Sequence, residues 1–133
     1  MIGLVVATHG NLGAELLTSA QMIIGPVRNA RAVGINQDNS MEVIRDAIAA
    51  AVAEVGTDGK GVIIVTDMFG GTPANVSMTF LEPQTLEVLT GVNLPMLLKF
   101  FNSQESLGLD ELAGILKSYG QQSIALASEY LQR

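Results

Sequence analysis

Ile2-Gly3-Leu4-Val5-Val6-Ala7-Thr8-His9-Gly10 is the stretch whose reading decides the fold. An apolar run of this length, broken by a polar His9-Gly10-Asn11, reads as a buried strand over residues 2–8. His9, the single histidine of 133 residues, then stands where that strand gives way to a loop. A second run, Val62-Ile63-Ile64-Val65-Thr66, ends in Asp67 and continues Met68-Phe69-Gly70-Gly71-Thr72-Pro73. In open α/β sheets, ligands and chemistry gather at the carboxyl ends of strands. If the two runs are parallel neighbours, imidazole and carboxylate meet at one sheet edge.

Outward from these runs, strands alternate with helices. Residues 12–24 read as a helix with Leu12, Leu16, Ala20 and Ile23 on one face, stopped by Gly25-Pro26. Residues 32–35 form a second strand, and Asn39 or Ser40 opens the next helix. Glu42 lies three residues after Asn39, as in a capping box. Val43, Ile44, Ala47, Ile48, Ala51, Val52 and Val55 supply the apolar stripe of that helix. Pro73 fits the first turn of a third helix, with Thr72 as its N-cap. Residues 86–89 read as a fourth strand, followed by a helix from Leu94-Pro95 and another that Asp110 caps and Gly120 ends.

Such alternation implies an α/β fold: an open, mostly parallel sheet with helices on both faces, built as a single domain over residues 1–133. Right-handed crossovers place the ends of the first and third strands on one edge. Residues 123–128 read either as a short strand or as the start of a final helix.

Composition narrows the function. Hydrophobic residues make up 48% of the chain, and the mean hydropathy is +0.38; strands buried on both faces account for this. No stretch approaches the roughly 18 apolar residues of a membrane span. The apolar start lacks a basic leader, so no signal peptide is expected and a cytoplasmic location is. Cysteine is absent, which excludes disulfides, thiolate catalysis and cysteine–zinc sites. Seven basic residues against thirteen acidic ones give a formal net charge of -6. With no Lys/Arg cluster, binding to nucleic acid is not expected.

The histidine ring offers two nitrogens with different jobs. One can attack a phosphoryl group while the other donates to a carboxylate, a role that suits Asp67. The phosphoryl oxygens need donors, and main-chain N–H groups at Gly10, Asn11, Gly70 and Gly71 are placed to supply them, with the Thr72 hydroxyl beside them. A lone histidine, an isolated aspartate or a Gly-Gly turn is each commonly structural; their convergence on one edge favours chemistry. Sharper alternatives fail. The nucleotide-binding loop needs a lysine that the glycine pattern lacks, and His9-Gly10-Asn11-Leu12-Gly13 is not a dinucleotide fingerprint. Histidine phosphatases use an arginine and a second histidine, response-regulator receivers use acidic magnesium ligands, and neither set is present.

Three segments together resemble the mannose-type (mannose/fructose/sorbose) IIA domain of the bacterial phosphoenolpyruvate:sugar phosphotransferase system. They are Val5-Val6-Ala7-Thr8-His9-Gly10, Val65-Thr66-Asp67-Met68-Phe69-Gly70-Gly71-Thr72-Pro73-Ala74-Asn75 and Thr90-Gly91-Val92-Asn93-Leu94-Pro95-Met96-Leu97. The resemblance implies a phosphotransferase component in which His9 is transiently phosphorylated on Nε2 and Asp67 orients its ring. Thr72 falls where the family has a small hydroxyl residue near the phosphoryl group. Met68 and Phe69, the latter replacing a tryptophan of some members, would form an apolar rim for partner docking.

The implied donor is the phosphocarrier protein HPr and the implied acceptor a histidine on a IIB component, with no metal or cofactor. The resemblance also implies a homodimer in which residues 123–128 form an antiparallel strand exchanged between subunits. No Ala/Pro-rich linker or IIB domain follows in the sequence, so the acceptor is expected to be a separate protein. Contact with a membrane sugar permease is expected only through such partners. A stand-alone regulatory domain that reports the phosphorylation state of His9, including a dihydroxyacetone-kinase-type role, is the alternative. Sugar specificity and the choice between transport and regulation are not written in the chain.

Overall fold

The computed structural model describes residues 1–132; Arg133, the last residue of the expected domain, lies outside the described residues. Four strands, β1 (Gly3–His9), β2 (Ala30–Ile35), β3 (Val62–Thr66) and β4 (Leu86–Thr90), pair in the order β2-β1-β3-β4, all parallel. The helices α1 (Leu12–Ile24), α4 (Leu94–Ser103) and α5 (Leu109–Gln122) cover one face. The other face carries α2 (Met41–Val55) and α3 (Thr72–Met78).

Strand alternation divides the apolar side chains between two cores. Leu4, Val6, Ile63 and Val65 pack with Leu17, Phe100, Leu112 and Leu116 on one side. Val5, Ala7, Val62 and Ile64 pack with Ile44, Ile48 and Val76 on the other. Both central strands are thus sealed, which is why they read as unbroken apolar runs. At about 1.5–3 kcal/mol for each large side chain buried, β1 and β3 form the stiffest part of the molecule. The chain leaves β1 through α1 on one face and leaves β3 through α3 on the opposite face. The carboxyl ends of β1 and β3 therefore flank the point where the strand order reverses, the crevice where open α/β sheets hold ligands.

Several local expectations are corrected. The buried stripe of α1 is Gly13, Leu17 and Ala20, while Leu12 and Ile23 are exposed. The reason lies at Gly13: a Cβ there would stand 2.8 Å from the Val6 carbonyl oxygen, so the helix sits directly on β1 at a residue without a side chain. Ser40 caps α2 by accepting the Val43 N–H at 3.2 Å, whereas Asn39 accepts the Asn36 N–H at 2.8 Å. Asn39 and Glu42 consequently form no capping box. Gly71, not Thr72, is the N-cap of α3, and Thr72 is its first helical residue. Gly108 caps α5, with Asp110 inside the first turn. Gly120 lies within that helix rather than ending it, because a Cβ there would meet Met96 Cε at 2.8 Å.

The C-terminal segment forms no strand among the described residues. Residues 124–126 are irregular and a single turn, α6 (Ala127–Tyr130), follows. Within one chain the segment closes local bonds instead, such as Leu131 N–H to the Ala127 carbonyl at 3.0 Å.

The helical glycines give a direct test of this packing. Gly→Ala in a helix ordinarily stabilises by roughly 1 kcal/mol, and Gly114 in α5 has open space around its Cβ position. Gly114→Ala is expected to raise stability in urea denaturation by up to that amount. Gly13→Ala is expected to lower it by about 1–3 kcal/mol, because the added methyl meets backbone. Equal effects of the two substitutions would contradict the close approach of α1 to β1.

Candidate functional site

The parallel register sets Ala7 opposite Thr66, so His9 and Asp67 leave adjacent central strands at the same edge. His9 is the last residue of β1. By alternation its side chain lies on the same side as Val5 and Ala7, toward α3. Gly10 then turns the chain at φ +56°, a conformation that costs glycine little, and its carbonyl passes over Gly34 of β2. A Cβ at Gly34 would stand 2.5 Å from that oxygen. The Gly10 N–H is held by the Ile35 carbonyl at 2.9 Å.

One carboxylate oxygen holds His9 twice. Oδ2 of Asp67 accepts the His9 backbone N–H at 3.1 Å and lies 2.7 Å from Nδ1 of the ring. An ionised carboxylate can only accept, so Nδ1 carries the proton and, when the ring is neutral, Nε2 presents its lone pair. Nε2 has no hydrogen-bond partner among the described residues, and the His9 side chain is 52% exposed while that of Asp67 is 13% exposed. Burial pushes the Asp67 carboxyl upward and is the largest single influence. The hydrogen bonds from the His9 ring and backbone, together with the charge on the ring, outweigh it and hold the group below its usual value.

Gly71 lies against the ring: a Cβ there would come within 2.9 Å of Cε1 and 3.3 Å of Nε2. The main chain at Gly70-Gly71 therefore runs beside the free nitrogen, with Gly70 at φ +88° shaping the turn. Thr72 is exposed next to it. Asn11 caps α1 through its carbonyl, which accepts the Glu15 N–H at 3.1 Å, and not through its side chain. Met68 and Phe69 stand out from the same edge, 53% and 74% exposed. No group of His, Asp or Glu residues suited to a metal occurs among the described residues. No described helix is long and apolar enough to cross a membrane.

Three supports escape the sequence reading. The buried Thr8 hydroxyl accepts the Gly13 N–H at 2.8 Å and ties the start of α1 to β1. The Thr66 carbonyl accepts the N–H groups of Gly91 and Val92, both at 2.9 Å, and so anchors the loop before α4. Gly34 makes room for the turn after His9; a glycine inside a strand is itself a sequence signal for close backbone approach.

Asp67 also ties the site to folding. Because its folded pKa lies below the unfolded one, its contribution to stability is full above about pH 5 and is lost as pH falls through the folded value. The stability gap between the native chain and Asp67→Asn is expected to be constant near neutrality and to close on acidification. Urea denaturation across this range checks it, and a gap that widens in acid would contradict the assigned pairing.

Comparison with known proteins bears on the whole chain. The family described as "EIIA-man: PTS system fructose IIA component" matches residues 3–116. The PTS system fructose-specific EIIA component of Bacillus subtilis (strain 168) is 32% identical over 134 residues, which cover 100% of this chain and 91% of that protein. The PTS system mannose-specific EIIAB component of Escherichia coli (strain K12) is 29% identical over 92% of this chain, which spans 38% of that longer protein. The crystal structure of the PTS IIA protein associated with the fucose utilization operon from Streptococcus pneumoniae superposes with a TM-score of 0.88. It is 27% identical, and the match covers 98% of this chain and 96% of that one. The chain belongs to the mannose-type IIA family of the bacterial phosphoenolpyruvate:sugar phosphotransferase system, whose members are phosphotransfer components of sugar uptake.

Proposed function

We propose that this protein is a phosphohistidine carrier that accepts a phosphoryl group from HPr on Nε2 of His9 and passes it to a histidine of a IIB component. The observation that carries this reading is the division of labour on one ring: Nδ1 is held by Asp67 at 2.7 Å, while Nε2 is unpartnered on an exposed side chain. In the first transfer the P–N bond of the donor phosphohistidine breaks as a P–N bond to Nε2 forms. The Nδ1 proton stays between the ring and Asp67, which stabilises the positive charge that develops on the imidazole. Passing the group onward reverses these roles.

Main-chain N–H groups at Asn11, Gly70 and Gly71, with the Thr72 hydroxyl, are the donors we assign to the phosphoryl oxygens; the Gly10 N–H, expected among them, is already spent on the Ile35 carbonyl. Met68 and Phe69 form the apolar rim on which partners dock, excluding water from the transfer. The chemistry consists of positioning and electrostatics, which suits a site without a metal. The protein would work in the cytoplasm and reach a membrane permease only through its partners.

We also propose that the protein is a dimer in which residues 123–128 pair with β4 of the other subunit. β4 is an open edge of the sheet, and Ile124 and Leu126 are 79% and 63% exposed in one chain. Such an edge invites pairing. A chain truncated after Ser123 is expected to run as a monomer in light scattering where the full chain is a dimer. A truncated dimer would contradict the exchange.

Incubation with phosphoenolpyruvate, enzyme I and HPr is expected to add one acid-labile, alkali-stable phosphoryl group by mass, absent in His9→Ala. Asp67→Asn is expected to fold but to accept the group at least about tenfold more slowly. No mass gain with an active donor would overturn the carrier reading; an unchanged rate in Asp67→Asn would overturn the role of Asp67.

A further inference from the structure

Buried polar atoms without partners are uncommon, and each calls for a physical reason. Among the described residues three side-chain atoms are in this condition: Thr66 Oγ1, Asp67 Oδ1 and Ser77 Oγ. Two of them belong to consecutive residues at the end of β3. Asp67 spends Oδ2 on both the His9 backbone and the His9 ring, which leaves Oδ1 turned inward with no donor. Thr66 is 0% exposed, so its hydroxyl has no access to bulk water.

The strand pattern places these two atoms on one side of the sheet. Val62 and Ile64 face the core beneath α2 and α3, and alternation turns Thr66 the same way. Ala7 is the cross-strand partner of Thr66; His9, two residues on, stands one layer above it on the same face. The Asp67 carboxylate reaches Nδ1 of His9, so it lies on that face as well. Neighbouring donors are spent. The N–H groups of Gly91 and Val92 both go to the Thr66 carbonyl, and both His9 donors go to Oδ2. The Thr66 hydroxyl, on the adjacent residue, is a buried donor without a partner of its own, and no direct bond runs from it to Oδ1.

We infer that Thr66 is a positioning residue whose hydroxyl holds Oδ1 of Asp67 through one internal water, so that Oδ2 stays turned toward His9. The water donates to Oδ1 and accepts from the Thr66 hydroxyl, which gives both of these atoms a partner. A carboxylate fixed at both oxygens cannot rotate away when a docking protein approaches the ring. The arrangement also withdraws charge from the carboxylate and so sets how strongly it attracts the imidazole. The inference rests on the carrier reading only for its consequence on transfer.

Thr66→Val keeps the side-chain shape and removes the hydroxyl, while Thr66→Ser restores it. The Asp67 carboxyl, followed by carbon NMR against pH in the unphosphorylated protein, is expected to titrate about half a unit higher in Thr66→Val. Thr66→Ser should return to the native midpoint. Ser77→Ala removes an equally buried hydroxyl from α3 and should leave the midpoint in place. A crystal structure of the native protein is expected to show a water within about 3.2 Å of both Thr66 Oγ1 and Asp67 Oδ1.

An unmoved midpoint in Thr66→Val, an equal shift in Ser77→Ala, or no bridging water would each overturn the inference. Should Thr66→Val fail to fold, the native crystal structure alone decides. Neither measurement needs phosphoryl chemistry, so failure of the carrier reading is separately visible. Where that reading holds, Thr66→Val should accept the phosphoryl group severalfold more slowly than Thr66→Ser.

Discussion

One carboxylate oxygen fixes the site. Oδ2 of Asp67 takes the backbone N–H of His9 and faces Nδ1 of the same residue. The main-chain bond sets where the residue leaves β1, and the side-chain contact sets which way its ring turns. A histidine held only by its ring would swing with its χ angles; one held at both places presents Nε2 in a narrow range of directions. Hydrogen bonds to a charged group are about twice as strong as neutral ones, and here the carboxylate is the shielded partner, 13% exposed against 52% for the ring. Ring orientation and tautomer depend on that single acceptor, and so does the stabilisation of charge in the proposed transfer.

The rest of the fold brings two strand ends together and keeps side chains out of the way. β1 and β3 are neighbours because the chain reverses its winding between them, sending α1 to one face and α3 to the other. Two apolar cores hold those strands rigid. Above them the surroundings of the ring are mostly backbone: Gly10 turns, Gly34 lets it pass, and Gly71 lies against the imidazole. A larger residue at Gly34 or Gly71 would push against main chain or against the His9 ring. The glycines thus leave open space beside the ring, as the proposed phosphoryl transfer requires.

Sequence reading recovered the architecture because the central strands are buried on both faces and therefore stand out as apolar runs. It also paired His9 with Asp67, since the chain has one histidine and the carboxylate follows the matching strand. The errors have a common cause. Apolar counting put Leu12 and Ile23 beside Ala20 on the buried face of α1, but with close packing at Gly13 it is Gly13 and Leu17 that are buried with Ala20. The same blindness to small residues made Gly120 a helix end when it is a contact point for Met96. Thr72 looked like a cap, yet Gly71 provides the extended residue before α3. The segment 123–128 carries no period of its own, so its conformation depends on what lies beside it. The supports at Thr8 and Thr66 were invisible because a buried hydroxyl leaves no mark in a pattern of apolar residues.

The most direct test of the account is the tautomer of the neutral His9 ring, read from the two ring-nitrogen shifts in nitrogen NMR of the unphosphorylated protein. The account predicts the proton on Nδ1, bonded to Asp67, with Nε2 bare. A ring protonated on Nε2 in its neutral form would show that the carboxylate does not hold it, and would contradict the central claim.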